Sequence, residues 1–423
     1  MPTKCYKTCA RKILVTVVMV ILSRLLCQMP VYGIDRSATT TLLKLLDSLE
    51  IMSMVSGGML NEVTVGTIGI TPYVTSSIMI QFFIVLIPKF QKLQRNGYYG
   101  QKMIKRYTFY MTTVFAAVQS TFMVISINEQ NQLTSKGTMG IAIIQWILAA
   151  LTLALIGEYI QEQGIGNGFS VLIMVNILTR CFYEGKNLMY SLQAMQQGKR
   201  IVYGTAIMLL LLYLVFAYYL QESEIRIPVV ETQTEGQDKM KGYIPVKLNI
   251  ANIMPVLMTS TIFSLVSSLT SACSFNQTLL AVFDMKTWFT GHTYQWLFGI
   301  GTYIILLLFF TAFYAEYNFN PMEVATQLRH YGMYVEGIHP GGETVDYFTG
   351  IIKKIRVVNS VFLSLLIFLP LAIMNFYGLS NFSLFGSSIV IVISVLSDMG
   401  SAIRAEMACI GKSLFTKEGR KGK

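Results

Sequence analysis

Ten apolar runs dominate this sequence of 423 residues. Each is close to the roughly 20 residues that an α-helix needs to cross a bilayer. Backbone N–H and C=O groups find no water inside the hydrocarbon, so segments of this kind must be helical. With 53% hydrophobic and only 13% charged residues, we predict an all-α, multi-pass membrane protein. The runs lie at about 13–32, 70–88, 107–127, 138–157, 168–183, 201–220, 251–272, 294–315, 357–377 and 383–400.

The positions of the basic residues predict the topology. If the N-terminus is cytoplasmic, 24 of the 33 Lys and Arg residues fall in inner segments, eight fall outside and Arg24 lies within the first span. Cytoplasmic loops carry an excess of Lys and Arg, so we expect both termini on the cytoplasmic side of the plasma membrane. The outer loop after span five is the exception, with Arg180, Lys186, Lys199 and Arg200.

An internal repeat indicates two related halves. Aligning Pro72 with Pro255 also matches Ile70 with Ile253, Val74 with Leu257, Ser76 with Thr259 and Ser77 with Ser260. Paired, Pro-interrupted spans are typical of the site between the halves of a transport protein. We predict an N-terminal half at 1–200 with spans one to five and a C-terminal half at 201–423 with spans six to ten.

Three connections have features of their own. The stretch 48–66 is apolar but too short to cross, which predicts a re-entrant stopper at 52–66 or, alternatively, an amphipathic surface helix. The inner loops 221–250 and 317–356 are long enough to dock a soluble partner. Strand-like runs at 224–230 and 242–248 predict a hairpin in the first of them.

Nothing in the sequence indicates an enzyme. Gly164-Ile165-Gly166-Asn167-Gly168 resembles a phosphate-binding loop only superficially, because no strand precedes it and no Walker Lys follows. A tight turn between two spans is the better interpretation. The six cysteines and three histidines show no spacing typical of a disulfide framework or a metal site. We therefore expect no cofactor, no metal and no catalysis.

Seven short motifs, taken in order, resemble the SecY family, the channel subunit of the Sec protein-export translocon. The resemblance covers nearly the whole chain. The motifs are Pro30-Val31-Tyr32-Gly33-Ile34, Ser56-Gly57-Gly58, Gly69-Ile70-Thr71-Pro72-Tyr73, Gly164-Ile165-Gly166-Asn167-Gly168, Ile244-Pro245-Val246-Lys247-Leu248-Asn249, Phe319-Asn320-Pro321 and Gly337-Ile338-His339-Pro340-Gly341.

The resemblance implies ten transmembrane helices in two inverted five-helix halves around an hourglass pore, with a re-entrant plug helix. The matching pore ring consists of branched aliphatic residues, Val74, Ile78, Ile173, Ile177, Leu257 and Ile391. Such a ring can dewet when empty and hold back ions, although the same residues could simply be packed core. The plug matches Met52, Met54, Val55, Ser56, Gly57, Gly58, Met59 and Leu60.

The resemblance also implies a lateral gate, with spans two and three facing spans seven and eight. The gate positions carry polar side chains, Thr75, Ser76, Ser77, Gln81, Thr259, Ser260, Thr261 and Ser264. Interhelical hydrogen bonds between such groups contribute only about 0.6 kcal/mol on average. We expect a seam that a signal sequence can open.

The implied partners are a SecA-type ATPase, SecE-like and SecG-like small subunits or their accessory equivalents, an unfolded secretory polypeptide and the lipid bilayer, with no direct contact to nucleic acid. Residues matching the motor-docking surface are Arg226, His339, Pro340, Gly341 and Arg404. The family usually has Arg where this chain has His339, and Arg and His are not interchangeable. That departure suggests the accessory branch of Gram-positive bacteria, with a restricted set of substrates.

Two other functions stay open from the residues alone. A small-solute secondary transporter with inverted repeats would keep charged groups at mid-membrane, whereas the mid-span positions here are Ser, Thr and aliphatic residues. An intramembrane enzyme would need a nucleophile or a metal cluster. The resemblance to the SecY family implies instead a passive protein-conducting channel that exports polypeptides and releases helices into the membrane.

Overall fold

The computed structural model describes residues 2–32, 64–128, 138–194, 197–231, 241–251, 254–272, 293–376 and 391–404. The chain divides into two compact units. The first consists of Met1–Leu188 and Val395–Lys423, and the second of Met189–Ser394. The helices are α1 (Pro2–Gln28), α2 (Thr71–Leu86), α3 (Pro88–Arg95), α4 (Gly97–Asn128), α5 (Thr138–Gln163), α6 (Gly168–Ala194), α7 (Gln197–Glu222), α8 (Met254–Ala272), α9 (Thr293–Asn318), α10 (Pro321–His330), α11 (Gly342–Phe376) and α12 (391–404).

Ten of these helices coincide with or overlap the ten predicted apolar runs, and α3 and α10 are the two short exceptions. By length and hydropathy alone, three stretches of the described chain could each cross a membrane: Gly97–Ile125, Thr138–Gln163 and Leu297–His330. A fourth candidate is Thr71–Ile84 with Pro88–Gln94, which are bent by 103° at their junction. Shorter apolar helical stretches lie at Gly168–Thr179 and Met254–Phe263.

Small side chains allow the helices of the first unit to pack closely. Thr108, Thr112, Ala116 and Ser120 recur at every fourth position of α4 and are all buried. Residues four apart lie on one face of a helix, so these four form a narrow stripe. Without a hydrophobic driving force between helices in lipid, such stripes let backbones approach and gain dispersion contacts. Helix α4 contacts both α2 and α5.

The glycine-rich connection is a tight turn between α5 and α6, as predicted. Gly166 has a φ of 74°, the left-handed region that favours glycine. A Cβ at Gly168 would lie 2.0 Å from the carbonyl oxygen of Gly157. Helix α1 stabilises the turn, because the buried Thr16 Oγ1 accepts a hydrogen bond from the Ile165 N–H at 3.2 Å.

The chain that leads into α2 is anchored to the end of α1. The Val65 N–H donates to the Met29 carbonyl at 2.9 Å, and Thr64 pairs with Pro30 in an antiparallel bridge. The indole Nε1 of Trp146, which is fully buried in α5, donates to the Thr64 carbonyl at 3.1 Å. A small apolar cluster surrounds these bonds and consists of Val31, Ile68, Met123, Val124, Ala142 and Trp146.

The second unit contains a three-stranded sheet in the order β2-β1-β3, with β1 at Glu224–Glu231, β2 at Lys241–Lys247 and β3 at Met333–Val335. The predicted hairpin of β1 and β2 is confirmed, and its strands are antiparallel. Strand β3 comes from the second inner loop, which the sequence analysis treated as separate. It is short and has no alternating pattern of its own, so only its pairing with β1 identifies it as a strand.

One apolar core holds both inner loops together. It forms where the sheet meets α10 and the first turns of α11, and its buried members are Ile227, Val229, Val246, Leu328, Val335, Phe348 and Ile355. Helix α10 begins with Pro321 in its first turn, and Asn320 Oδ1 caps it by accepting from the Met322 N–H at 3.2 Å. The two loops therefore form one folded module, which we call the loop module.

A proline in β2 reduces the ability of the free edge of this sheet to pair with another strand. Pro228 lies opposite Tyr243 and Pro245 lies opposite Arg226, two places along the same ladder. In an antiparallel ladder, hydrogen-bonded and non-hydrogen-bonded residue pairs alternate, so these two pairs are of the same kind. Proline has no N–H to donate, and it fits without the loss of a ladder bond at a non-hydrogen-bonded pair, where its nitrogen points away from the partner strand. The nitrogen of Pro245 then faces the outer edge of β2. An edge strand with a donor missing is a poor template for another strand.

We expect Gly168→Ala to destabilise the protein by about 1–3 kcal/mol, since the new methyl group would overlap the Gly157 carbonyl. Thermal unfolding in mild detergent measures the effect. Gly140→Ala is the matched control, because a Cβ at that helical position meets nothing within 4 Å. Equal melting temperatures for the two variants would contradict the packing argument.

Replacing Trp146 with Phe removes the donor to the Thr64 carbonyl and should lower stability by about 1 kcal/mol. Amide hydrogen exchange should then accelerate across 64–70. Ile144→Ala in the same helix is the control, because Ile144 is 58% exposed and should leave that exchange unchanged. Unaltered protection at 64–70 in the Trp146 variant would show that the indole does not anchor this segment.

Candidate functional site

Four predicted pore-ring positions belong to two helices of the first unit. Val74 and Ile78 are four residues apart in α2, and Ile173 and Ile177 are four apart in α6, so each pair occupies one helix face. Val74 is half-buried and the other three are buried.

The first turns of the two helices meet through stacked rings. The rings of Tyr73 in α2 and Phe169 in α6 have centroids 3.7 Å apart and an interplanar angle of 11°. Val74 follows Tyr73 directly and Ile173 comes one turn after Phe169, so this stack helps to set the relative position of the two aliphatic pairs.

The other two ring positions, Leu257 in α8 and Ile391 in α12, belong to the second unit and are also buried. All six side chains are branched and apolar, so none offers a polar atom that would hold water. The closed ring of six stays a prediction.

The predicted gate hydroxyls hydrogen-bond within their own helices. Thr75 and Ser76 donate to the carbonyls of Thr71 and Pro72 at 3.0 and 2.6 Å. In α8 the same i to i−4 pattern holds at distances of 2.6 to 2.8 Å for Thr259, Ser260 and Thr261. A hydroxyl has one proton, so these five groups have none left to donate across a seam. They therefore do not donate the weak interhelical bonds that the sequence led us to expect.

The remaining gate positions differ in their contacts. Gln81 Nε2 lies 3.5 Å from Ser77 Oγ, one turn earlier in α2. The side chain of Ser264 lies outside the described residues. Sequence reasoning missed Tyr303 in α9, whose hydroxyl lies 3.3 Å from Ser260 Oγ. The available signal was a tyrosine inside an apolar span, where its hydroxyl needs a partner.

The predicted plug residues Met52, Met54, Val55, Ser56, Gly57, Gly58, Met59 and Leu60 lie outside the described residues. The C-terminal border of the predicted segment is described. A Cβ at Gly66 would lie 2.6 Å from Cys27 Cβ. That close approach and the bonds at Thr64 and Val65 hold this border against the end of α1.

Arg226, a predicted docking residue, lies on the outer face of the loop module. Its Nε is 2.9 Å from Glu224 Oε1, and its guanidinium lies 5.0 Å from the ring centroid of Tyr243 on the neighbouring strand. The hydrogen bond that Arg226 donates to Glu224 raises the pKa of the guanidinium, which stays charged. Arg226 is thus an exposed cation held in a defined orientation.

The other docking positions are also at the surface. His339 and Pro340 are exposed in the turn between β3 and α11, and Gly337 and Gly341 adopt left-handed φ values of 83° and 128°. Thr344 Oγ1 donates to the His339 carbonyl at 2.9 Å, which links this turn to the start of α11. Arg404 is exposed at the end of α12.

The described part of the chain contains no group of three or more His, Cys, Asp or Glu side chains that could hold a metal ion. Some of its acidic residues form ion pairs with basic residues of other helices. Lys105 in α4 lies 3.3 Å from Glu158 and 3.1 Å from Glu162 in α5, and Arg356 in α11 lies 3.0 Å from Glu316 in α9. These pairs link neighbouring helices.

Comparison with known sequences gives a consistent result. A family model for SecY matches residues 64–399. The protein translocase subunit SecY of Streptomyces griseus is 30% identical over 412 residues, which is 91% of this chain and 92% of the relative. The same subunit of Synechococcus elongatus is 30% identical over 410 residues, which is 93% of this chain and 91% of the relative.

Solved structures agree on the fold. One described as "The structure of a protein conducting channel" has a TM-score of 0.68 at 16% identity and covers 95% of this chain and 93% of its own. "Sec61 in the Canine ribosome-channel complex from the endoplasmic reticulum" has a TM-score of 0.64 at 16% identity, with the same coverage. This chain therefore belongs to the SecY family and has its fold, a mostly helical membrane architecture that has ten transmembrane helices in the solved channels.

Proposed function

We propose that this chain is the passive channel subunit of a protein translocase. It would export unfolded polypeptides across the plasma membrane and release apolar helices sideways into the lipid. The observation that carries the proposal is the set of branched aliphatic side chains, two on one face of α2, two on one face of α6, and Leu257 and Ile391 in the other unit. Within a family of protein translocase subunits, such a set suits a waist that seals by dewetting.

A dewetting ring explains how an open pore could be selective without binding its passenger. Aliphatic side chains offer no hydrogen bonds, so a moving polypeptide is not held at any one position. When no chain is present, the cost of hydrating an apolar constriction keeps water and ions out. The side chains at the six ring positions would form this constriction.

The hydroxyls of the proposed gate support lateral release. Because Thr75, Ser76 and Thr259 donate to their own helix backbones, separating the two sides of a seam would break no hydrogen bond that they donate. Their oxygens would still accept hydrogen bonds from water or from a passing chain. A seam of this kind can open at low cost to an apolar signal helix.

The loop module would dock a cytosolic motor of the SecA type. It is folded around its own core and presents Arg226 and the turn with His339 at its surface. His339 stands where the family usually has Arg, and histidine lacks the planar fork of donors of arginine, which supports an accessory SecY branch with a restricted set of substrates. SecE-like and SecG-like subunits, or accessory equivalents, would complete the complex.

The distribution of Lys and Arg supports an orientation with both termini in the cytoplasm. In that orientation the loop module, helix α3 and the turn at 164–168 all lie on the cytoplasmic side. The motor-docking surface would then face the compartment that contains ATP.

Replacing Ile78, Ile173 or Ile177 with Gly should raise the ion conductance of the resting, reconstituted protein about tenfold. That is the effect of lowering the free-energy barrier to ion passage by about 1.4 kcal/mol. Planar-bilayer recordings of the purified variants measure it. Ile80→Gly and Leu172→Gly are matched controls, because both residues are buried in the same two helices but are not ring positions. Conductance that stays at the wild-type level in every ring variant would refute the ring.

Ser76→Cys and Ser260→Cys, combined in a background whose native cysteines are replaced by serine, should form a disulfide in the closed state and block export. Gel mobility and translocation of a model secretory protein into inverted vesicles measure the two effects. Ser23→Cys with Ser260→Cys is the control pair, since Ser23 is buried in α1, which is not one of the proposed gate helices. Normal export by the crosslinked protein would place the gate elsewhere.

A further inference from the structure

Tyr303 makes a directed contact between two helices of the second unit. Its side chain in α9 is 1% exposed, and its hydroxyl lies 3.3 Å from Ser260 Oγ in α8. Ser260 already donates its own proton to the Val256 carbonyl at 2.6 Å. Because each hydroxyl carries one proton, Tyr303 must be the donor and Ser260 the acceptor in this pair.

The ring of Tyr303 adds two aromatic contacts. It meets Phe263 of α8 edge to face, with centroids 5.1 Å apart at 65°, and Phe368 of α11 with centroids 5.7 Å apart at 85°. Edge-to-face pairs at these distances are favourable beyond the area they bury. One side chain therefore joins α8, α9 and α11.

We propose that Tyr303 is a positioning residue that holds α8 in the closed state of the channel. The inference rests on the proposed channel function. Ser260 lies three residues after Leu257, one of the proposed ring positions, and within the proposed gate stretch 259–261. A contact at Ser260 and Phe263 fixes the turn of α8 that carries both features, so movement of α8 away from α9 has to break it.

This contact is weak enough to break and form again reversibly. Hydrogen bonds between membrane helices shift an equilibrium about 3-fold on average and about 18-fold at most. A latch of that size biases the closed state without locking it, so an apolar signal helix could still displace α8.

Tyr314 provides a control for the loss of a buried phenol. It also lies in α9, is 1% exposed, and makes edge-to-face contacts with Phe313 and Tyr317. Neither of those two residues belongs to α8. If Tyr303 acted only as packing, Tyr303→Phe and Tyr314→Phe would have the same effects.

The test uses the full-length protein in proteoliposomes and compares Tyr303→Phe, Ser260→Ala, their combination and Tyr314→Phe. We expect Tyr303→Phe to speed amide exchange over 256–263 and to raise resting ion leak, each about 3-fold and at most about 18-fold. Ser260→Ala should reproduce both changes, and the double variant should add little to either. Tyr314→Phe should leave both at wild-type values.

Two outcomes overturn different claims. Wild-type exchange and leak in Tyr303→Phe, or additive effects of Tyr303→Phe and Ser260→Ala, would overturn the positioning role, provided that Ile173→Gly conducts in the same assay. An Ile173→Gly variant that does not conduct would overturn the channel function itself.

Discussion

Hydrogen-bonding groups within a bilayer have no water to bond to, and the helices and hydrogen bonds of the described spans follow from this constraint. It makes the spanning segments helical, because a helix satisfies its backbone internally. It also governs the side chains. The hydroxyls at Thr75, Ser76, Thr259 and Thr261 donate to carbonyls one turn earlier. These four hydroxyls are therefore satisfied within their own helices.

Local satisfaction leaves packing and a few specific contacts to hold the helices together. The stripe from Thr108 to Ser120 in α4 and the close approach of Gly168 to Gly157 are contacts of the first kind. The Tyr303 hydroxyl, the Trp146 indole and the Lys105 ion pairs are of the second. Within each unit, close packing and a few directed polar contacts thus act together.

The loop module, too, is held together by an apolar core, here outside the membrane. Two loops join in one sheet with one apolar core, although their closest described strands, Lys241–Lys247 and Met333–Val335, are 86 residues apart in the chain. Pro245 restricts the free edge of β2, and the exposed face carries the oriented cation Arg226. The module thus suits recognition through side chains on its surface better than through addition of a strand.

The sequence by itself determined the membrane class, the ten helical runs, the turn at 164–168, the hairpin of β1 and β2 and the SecY family, because hydropathy, glycine and strand alternation are local signals. Only the tertiary structure decided that β3 completes the sheet, that Trp146 secures the chain at Thr64, and that Tyr303 is the partner of Ser260. Each of these contacts joins residues far apart in the chain. No local pattern encodes such a pairing, since the donor and acceptor types are common and only packing brings a particular pair within reach.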